Sequence, residues 1–284
     1  MTSNLKGFYF PETVKEAVGI LAREKRKASI LAGGTRIVRT LPADLEYLVD
    51  IRRLPMRHIR MQTHWLCIGS ASTFSDLEKS NRLAHWAGGI ISAAASKVSS
   101  RPIRNMGTVG GNLVRPYPYN LLPPVFLCLD AQAVVADGKE DRMVPLSDLV
   151  KGSLLQDLGR SVLLTEVRIP SATRAWSGVF EKFAKTDSAW ESYLHAAVAL
   201  ERSGKNCRNV RIALGALTRH AERFCEAEKI LEGAEFRSEL AQEAAEAAAS
   251  GLGRILGIHS SKDYRRELAG VMVKRCLLKA WEKR

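Results

Sequence analysis

The sequence predicts an α+β protein: two α+β units followed by a small antiparallel sheet with a helical end. Three observations predict this. Strand-length apolar runs recur through the first 170 residues, but they do not alternate cleanly with helical segments, which disfavours a doubly wound parallel sheet. Two further runs, Ala196–Glu201 and Val210–Leu217, flank Ser203-Gly204-Lys205-Asn206 and read as a hairpin. Beyond Ala221 the pattern is helical.

Taken in order, Pro11-Glu12-Thr13 opens a helix whose apolar positions Val14, Ala17, Val18 and Leu21 keep helical spacing. Ala28-Ser29-Ile30-Leu31 is a short buried strand that runs into Ala32-Gly33-Gly34-Thr35. Tyr47–Ile51 and Leu66–Gly69 are the next strands, and helices follow at Ser75-Asp76-Leu77-Glu78 and across His85–Val98. Arg101–Val114 is read as a loop because its glycines oppose a regular helix. Pro116, Pro118, Pro123 and Pro124 then read as local breaks. Gln132–Ala136 is a strand turned by Asp137-Gly138, and Val162–Pro170 is a strand closed by its proline. Residues 170 to 177 make the best domain boundary. Helices follow at Ala221–Leu231, stopped by Gly233, and at Glu239–Ala249. Ser260-Ser261-Lys262-Asp263 caps a last helix with Tyr264, Leu268, Val271, Met272 and Leu278 on one buried face.

Composition narrows the function. With 284 residues, 46% hydrophobic and 26% charged, the chain can bury a sizeable core. No apolar run is long enough for a bilayer span, and the start lacks a signal-peptide core, so a cytoplasmic, non-membrane protein is expected. The five cysteines form no CxxC pair and the six histidines no metal spacing, so no metal site, cluster or disulfide framework is assigned. The net charge of +13 raises nucleic acid as a partner, but no helix-turn-helix, zinc finger or RNP-like motif accompanies it. The basic residues read instead as solvated faces and as attraction to an anionic cofactor or an acidic partner.

The chemistry concentrates in two glycine turns, Gly33-Gly34-Thr35 and Gly107-Thr108-Val109-Gly110-Gly111-Asn112. Neither is a phosphate-binding Walker loop or a dinucleotide fingerprint. Bare glycine backbone can aim successive N–H groups at an anion, with Thr35, Thr108 and Asn112 adding polar partners and Arg36 a charge. Taken alone, a Gly-Gly-Thr triplet is mostly a tight turn, and the second motif alone reads as a turn or bulge; the two together raise the ligand reading modestly.

Leu31-Ala32-Gly33-Gly34-Thr35 with Ile103-Arg104-Asn105-Met106-Gly107-Thr108-Val109-Gly110-Gly111-Asn112-Leu113 resembles the FAD-binding subunit of molybdenum hydroxylases, the family of xanthine dehydrogenase and the molybdenum-type carbon monoxide dehydrogenase. Phe10–Ala17, Leu127-Cys128-Leu129-Asp130-Ala131 and Tyr264–Ala269 extend the resemblance over nearly the whole chain. It implies a PCMH-type FAD-binding domain over residues 1–170, with subdomains of about 1–55 and 56–170, and a C-terminal sheet-plus-helices domain over 176–284. It implies FAD bound by Ile30, Leu31, Ala32, Gly33, Gly34, Thr35, Arg36 and Ile37 and by Thr108, Val109, Gly110, Gly111 and Asn112. Leu163 would meet the flavin through its backbone, and Lys182 would lie near the isoalloxazine ring, where a cation stabilises reduced flavin.

The resemblance also implies partners: a molybdopterin-binding subunit that oxidises substrate and an iron–sulfur subunit that relays electrons. FAD would then pass them to NAD or another acceptor. An oxidoreductase subunit active only in such a complex is expected, with purine hydroxylation of the xanthine dehydrogenase type as the first expectation. No catalytic residue is assigned. The chain departs from the family after the second turn: Leu121 replaces an aspartate that binds the FAD sugar, Tyr117 and Tyr119 replace small residues, and Pro102 replaces a glutamine. Losing a charge-assisted hydrogen bond of about 1.5–3 kcal/mol would weaken FAD roughly ten- to a hundredfold. The alternative is an assembly subunit of the same fold with weak or lost FAD binding.

Overall fold

The structure, a computed structural model, describes residues 4–114, 117–152, 161–256 and 260–283. Its first unit is a parallel sheet of β1 (Gly7–Tyr9), β2 (Ala28–Leu31) and β3 (Tyr47–Asp50), ordered β1-β3-β2. The helix Val14–Glu24 connects β1 to β2. Thr13 caps it, its Oγ1 accepting from the Glu16 N–H, and it buries Ala17, Val18, Ile20 and Leu21. The second unit is an antiparallel sheet of β4 (Ile59–Gln62), β5 (Trp65–Gly69), β6 (Gln132–Ala136), β7 (Asp141–Pro145) and β8 (Leu163–Pro170), ordered β4-β5-β8-β6-β7. The third is an antiparallel sheet of β9 (Ser177–Ala184), β10 (Ser192–Ser203), β11 (Asn206–Gly215) and β12 (Glu222–Arg223), ordered β12-β11-β10-β9.

The third sheet is covered on both faces, which explains why the middle of β10 is apolar at every position. Ala197, Ala199 and Ala213 point into one core with Trp86, Ile90, Phe126 and Phe180. Their neighbours Ala196, Val198, Leu200 and Ile212 point into another, beneath the helices Ser238–Ser250 and Lys262–Glu282. Alanine on the first face lets the helices beside the second sheet pack close. A polar seam joins the same elements. Asp130, at φ 48° just past the helix Leu122–Cys128, accepts from Arg211 Nη2 at 2.9 Å and Arg223 Nη1 at 2.8 Å. Arg223 reaches on to Glu228, whose Oε1 also accepts from the Ile212 N–H.

Four local expectations fail for identifiable reasons. Arg101–Val114 is not a loop but two short helices: Arg101–Met106, which stops at Gly107, and Val109–Leu113, which tolerates Gly110 and Gly111 because Thr108 caps it through the Gly111 N–H. Pro123 and Pro124 do not break structure. They occupy the first turn of Leu122–Cys128, where a missing N–H costs nothing, and Leu129–Ala131 then lead from that helix into β6. His85–Val98 is interrupted at Gly88 and Gly89, both at positive φ, leaving a helix only over Ile90–Ser96. The last helix is rotated from its expected face: it buries Arg265, Ala269, Met272, Val273, Cys276 and Leu277, while Tyr264 and Val271 are about half exposed. Among the described residues no helix is long and apolar enough to cross a membrane. No group of three potential metal ligands is found among them either.

Asp130→Asn tests the polar seam, because asparagine tolerates the left-handed backbone and removes only the charge. We expect a loss of about 1–3 kcal/mol in urea denaturation, read as a lower midpoint with unchanged m-value.

Candidate functional site

The first glycine turn is set by β2, whose Leu31 pairs with Asp50 of β3 before the chain turns at Ala32. Gly34 sits at φ +69°, a conformation that favours glycine. Gly33 is required for a different reason. A Cβ there would lie 1.8 Å from the Met106 carbonyl oxygen and 3.2 Å from Gly107 Cα. The first turn thus lies directly on the peptide that leads into the second, and the two glycine segments form one site. The amides of Gly33, Gly34 and Thr35 are half-buried, and none donates a hydrogen bond among the described residues. Half-buried amides without a protein acceptor call for water or a ligand acceptor.

The second turn is built differently. Its amides are engaged: Val109 donates to Ser72 O at 2.9 Å, Gly110 to Ser70 O at 2.7 Å, and Gly111 to Thr108 Oγ1 at 3.2 Å. A Cβ on Gly110 would come within 3.1 Å of Ser70. These glycines allow close packing on the Ser70–Ser72 segment and shape the wall rather than offer free donors. Asn112 is a brace. Its Oδ1 accepts from the Leu122 N–H at 3.2 Å, its Nδ2 donates to Asn120 Oδ1 at 3.3 Å, and Asn120 Nδ2 returns to Asn112 O at 2.5 Å. Between them Leu121 is 3% exposed and belongs to the large apolar core. Of the segment that departs from the family, Arg115 and Pro116 lie outside the described residues.

Three segments meet beside the first turn. The Arg36 guanidinium lies 4.2 Å from the centre of the Tyr117 ring, and Tyr117 stacks on Trp190 at 5.8 Å with 4° between planes. Tyr119 meets both rings edge-on. Desolvation holds the Tyr117 and Tyr119 hydroxyls above their ordinary range, so both stay protonated donors at neutral pH. Trp190 is 56% exposed and presents an aromatic surface to solvent. Sequence reasoning noted the two tyrosines only as departures and missed Trp190, since no motif ties a loop tryptophan to a turn so distant in the chain.

Lys182, expected beside a flavin ring, is held by the loop that carries Trp190. Its Nζ donates to Asp187 O at 3.1 Å, Ala189 O at 2.5 Å and Lys97 O at 3.1 Å. Burial lowers its pKa, and the three carbonyls satisfy its protons, so it positions the loop. Leu163 starts β8 with its side chain in the apolar cluster of Val18, Met56 and Ala71. Of the remaining expected residues, Ile30 and Leu31 belong to β2, Ala32 follows it, and Ile37 begins a short 3-10 turn. His195, buried behind Lys182 on β10, hydrogen-bonds Ser192 Oγ at 3.0 Å; burial pushes its pKa down to about 3, so it is neutral and structural.

The residues present fit an extended anionic cofactor such as FAD in a specific way. Unpaired amides and Arg36 at the first turn suit a pyrophosphate, and the solvent-facing surface of Trp190 suits a planar ring.

Comparison with known proteins agrees. Residues 3–172 match the family model described as the FAD binding domain in molybdopterin dehydrogenase, and residues 179–280 match the CO dehydrogenase flavoprotein C-terminal domain. The chain is 29% identical to the carbon monoxide dehydrogenase medium chain of Hydrogenophaga pseudoflava, covering 96% of each. A solved structure of carbon monoxide dehydrogenase from that organism, lacking the Mo-pyranopterin moiety of its cofactor, superposes with a TM-score of 0.92 over 100% of this chain and 99% of that one. Identity is 31% to the 6-hydroxypseudooxynicotine dehydrogenase complex subunit alpha of Paenarthrobacter nicotinovorans, over 95% of this chain and 92% of the relative. It is 26% to the xanthine dehydrogenase FAD-binding subunit of Escherichia coli O157:H7, over 94% and 93%. The two family models, which together span nearly the whole chain, therefore place it in the family of FAD-binding medium subunits of molybdenum hydroxylases.

Proposed function

We propose that this chain holds FAD across the first glycine turn and passes electrons from an iron–sulfur partner to NAD or another acceptor, within a complex whose molybdopterin subunit oxidises the substrate. The observation that carries the reading is the row of unpaired, half-buried amides at Gly33–Thr35, pressed against Met106. FAD, when bound, supplies the two-electron/one-electron conversion that such a relay needs. The chain's own residues do the rest. The amides of Gly33, Gly34 and Thr35 and the Arg36 guanidinium bind phosphate charge. Thr108–Asn112 shape the opposite wall, with the Leu163 backbone and Lys182 at its edges. Trp190, backed by Tyr117, orients an aromatic ring, and Lys182 fixes the loop that carries Trp190.

The proposal divides the chain near residues 170–176 into a flavin-binding part and a C-terminal part, and keeps a cytoplasmic setting. The xanthine-type expectation gains no preference, because the relatives' names span carbon monoxide, a nicotine-derived compound and xanthine. Substrate choice therefore belongs to the partner subunit.

A second reading, an assembly subunit with weak FAD binding, is favoured by the engaged amides of the second turn and by Leu121. The visible spectrum of the purified chain, titrated with FAD, separates the two. We expect a bound-flavin spectrum; no bound flavin at any FAD concentration overturns the proposal in favour of the assembly reading. Gly33→Ala is expected to weaken FAD at least tenfold and lower the unfolding temperature, since backbone meets backbone at that position. Gly7→Ala, with open space around it, should change neither. Leu121→Asp is expected to cost on the order of 3 kcal/mol by burying a carboxylate in the core, without tightening FAD. Tighter FAD at unchanged stability would show that this side chain faces the ligand after all.

A further inference from the structure

A second cavity lies in the C-terminal part, between the segment after β11 and the start of the last helix, and it shares no lining residue with either glycine turn. Arg219, Arg254 and Lys262 line it together with Thr218, Glu222 and Ile255. The three cations come from three separate segments, and none makes a hydrogen bond or ion pair among the described residues. Among the described lining residues Glu222 is the one carboxylate, and it faces His220, its Oε1 lying 3.8 Å from His220 Nδ1. The rim therefore carries an excess of unpaired positive charge around a concave space of about 600 Å³, large enough for a small molecule.

The walls are braced. Leu256 N donates to Leu217 O at 2.8 Å, tying the 254–256 wall to the 216–219 wall. Behind both, fully buried Arg265 donates to Leu256 O, to Ala216 O and, at 2.7 Å, to Tyr193 O. A buried guanidinium is costly unless its donors find acceptors, and here the two Nη groups donate to carbonyls of both walls. Thr218 Oγ1 donates to His220 O at 2.7 Å and fixes the turn between them. The cavity is thus preformed, and its free charges point to a ligand of the opposite sign.

We propose that this cavity binds a phosphate-bearing small molecule, with Arg219, Arg254 and Lys262 contacting the phosphate and Ile255 flooring the space for an attached organic group. Arginine and lysine converging from separate segments match the several oxygens of one phosphate better than the single face of a carboxylate. The shared chemistry is a phosphate dianion, whose source is either free orthophosphate or a phosphate monoester.

Calorimetric titration of the full chain with orthophosphate and with AMP, at low ionic strength and with FAD present in excess, tests the proposal. Saturable binding near one per chain is expected for at least one probe. Tighter AMP identifies an ester ligand, and equal affinities identify the free anion. Arg254→Ala/Lys262→Ala should weaken binding at least tenfold while keeping the wild-type unfolding temperature, because both side chains are exposed. Lys15→Ala/Arg26→Ala removes the same charge far from the cavity in sequence and should leave binding within twofold. The proposal is overturned if neither probe binds saturably, or if the second double variant weakens binding as much as the first, which would reduce the effect to net charge.

Discussion

The backbone of Gly33 rests on the carbonyl of Met106, and the arrangement of the site depends on that contact. A side chain at residue 33 would push the parallel sheet and the helix Arg101–Met106 apart. Because the approach is backbone to backbone, no rotamer change can relieve it. The contact fixes where β2 ends relative to the second turn, and so fixes the direction of the free amides at Gly33–Thr35. It also brings Arg36 within reach of Tyr117. The end of β2 is thereby registered against the end of the helix Arg101–Met106 and the start of the second glycine turn.

The two glycine turns look alike in sequence but divide the work. The first is left polar and unsatisfied, which costs stability without a ligand and supplies donors with one. The second is satisfied internally by Ser70, Ser72 and Thr108 and serves as a rigid backstop. The same division recurs in the C-terminal part. Lys182 and Arg265 spend their charge on backbone carbonyls to hold loops in place, whereas Arg219, Arg254 and Lys262 remain available on a cavity rim.

Much of the architecture was legible because it rests on local chemistry. The strand at Ala28–Leu31, the hairpin turn at Ser203–Asn206 and the Ser261 cap of the last helix all follow from short-range pattern, and the structure places each where the sequence indicates. What was not legible depends on distant neighbours. Pro123 and Pro124 read as breakers because nothing local says that a helix starts just before them. The last helix is rotated because Arg265, a residue that pattern assigns to solvent, is the one buried under two loops. The glycine motifs stood out in the sequence only through the family resemblance, and their separate packing roles could not be read there, since these depend on Ser70 and Met106. Trp190 was invisible for the same reason: its significance is its stack on Tyr117.

The most direct test of this account is amide hydrogen exchange of the chain with and without FAD, read at the two turns. The account predicts strong added protection at Gly33, Gly34 and Thr35, with little change at Val109–Gly111, whose amides are already hydrogen-bonded within the protein. Protection gained at Val109–Gly111 with none at Gly33–Thr35 would contradict it.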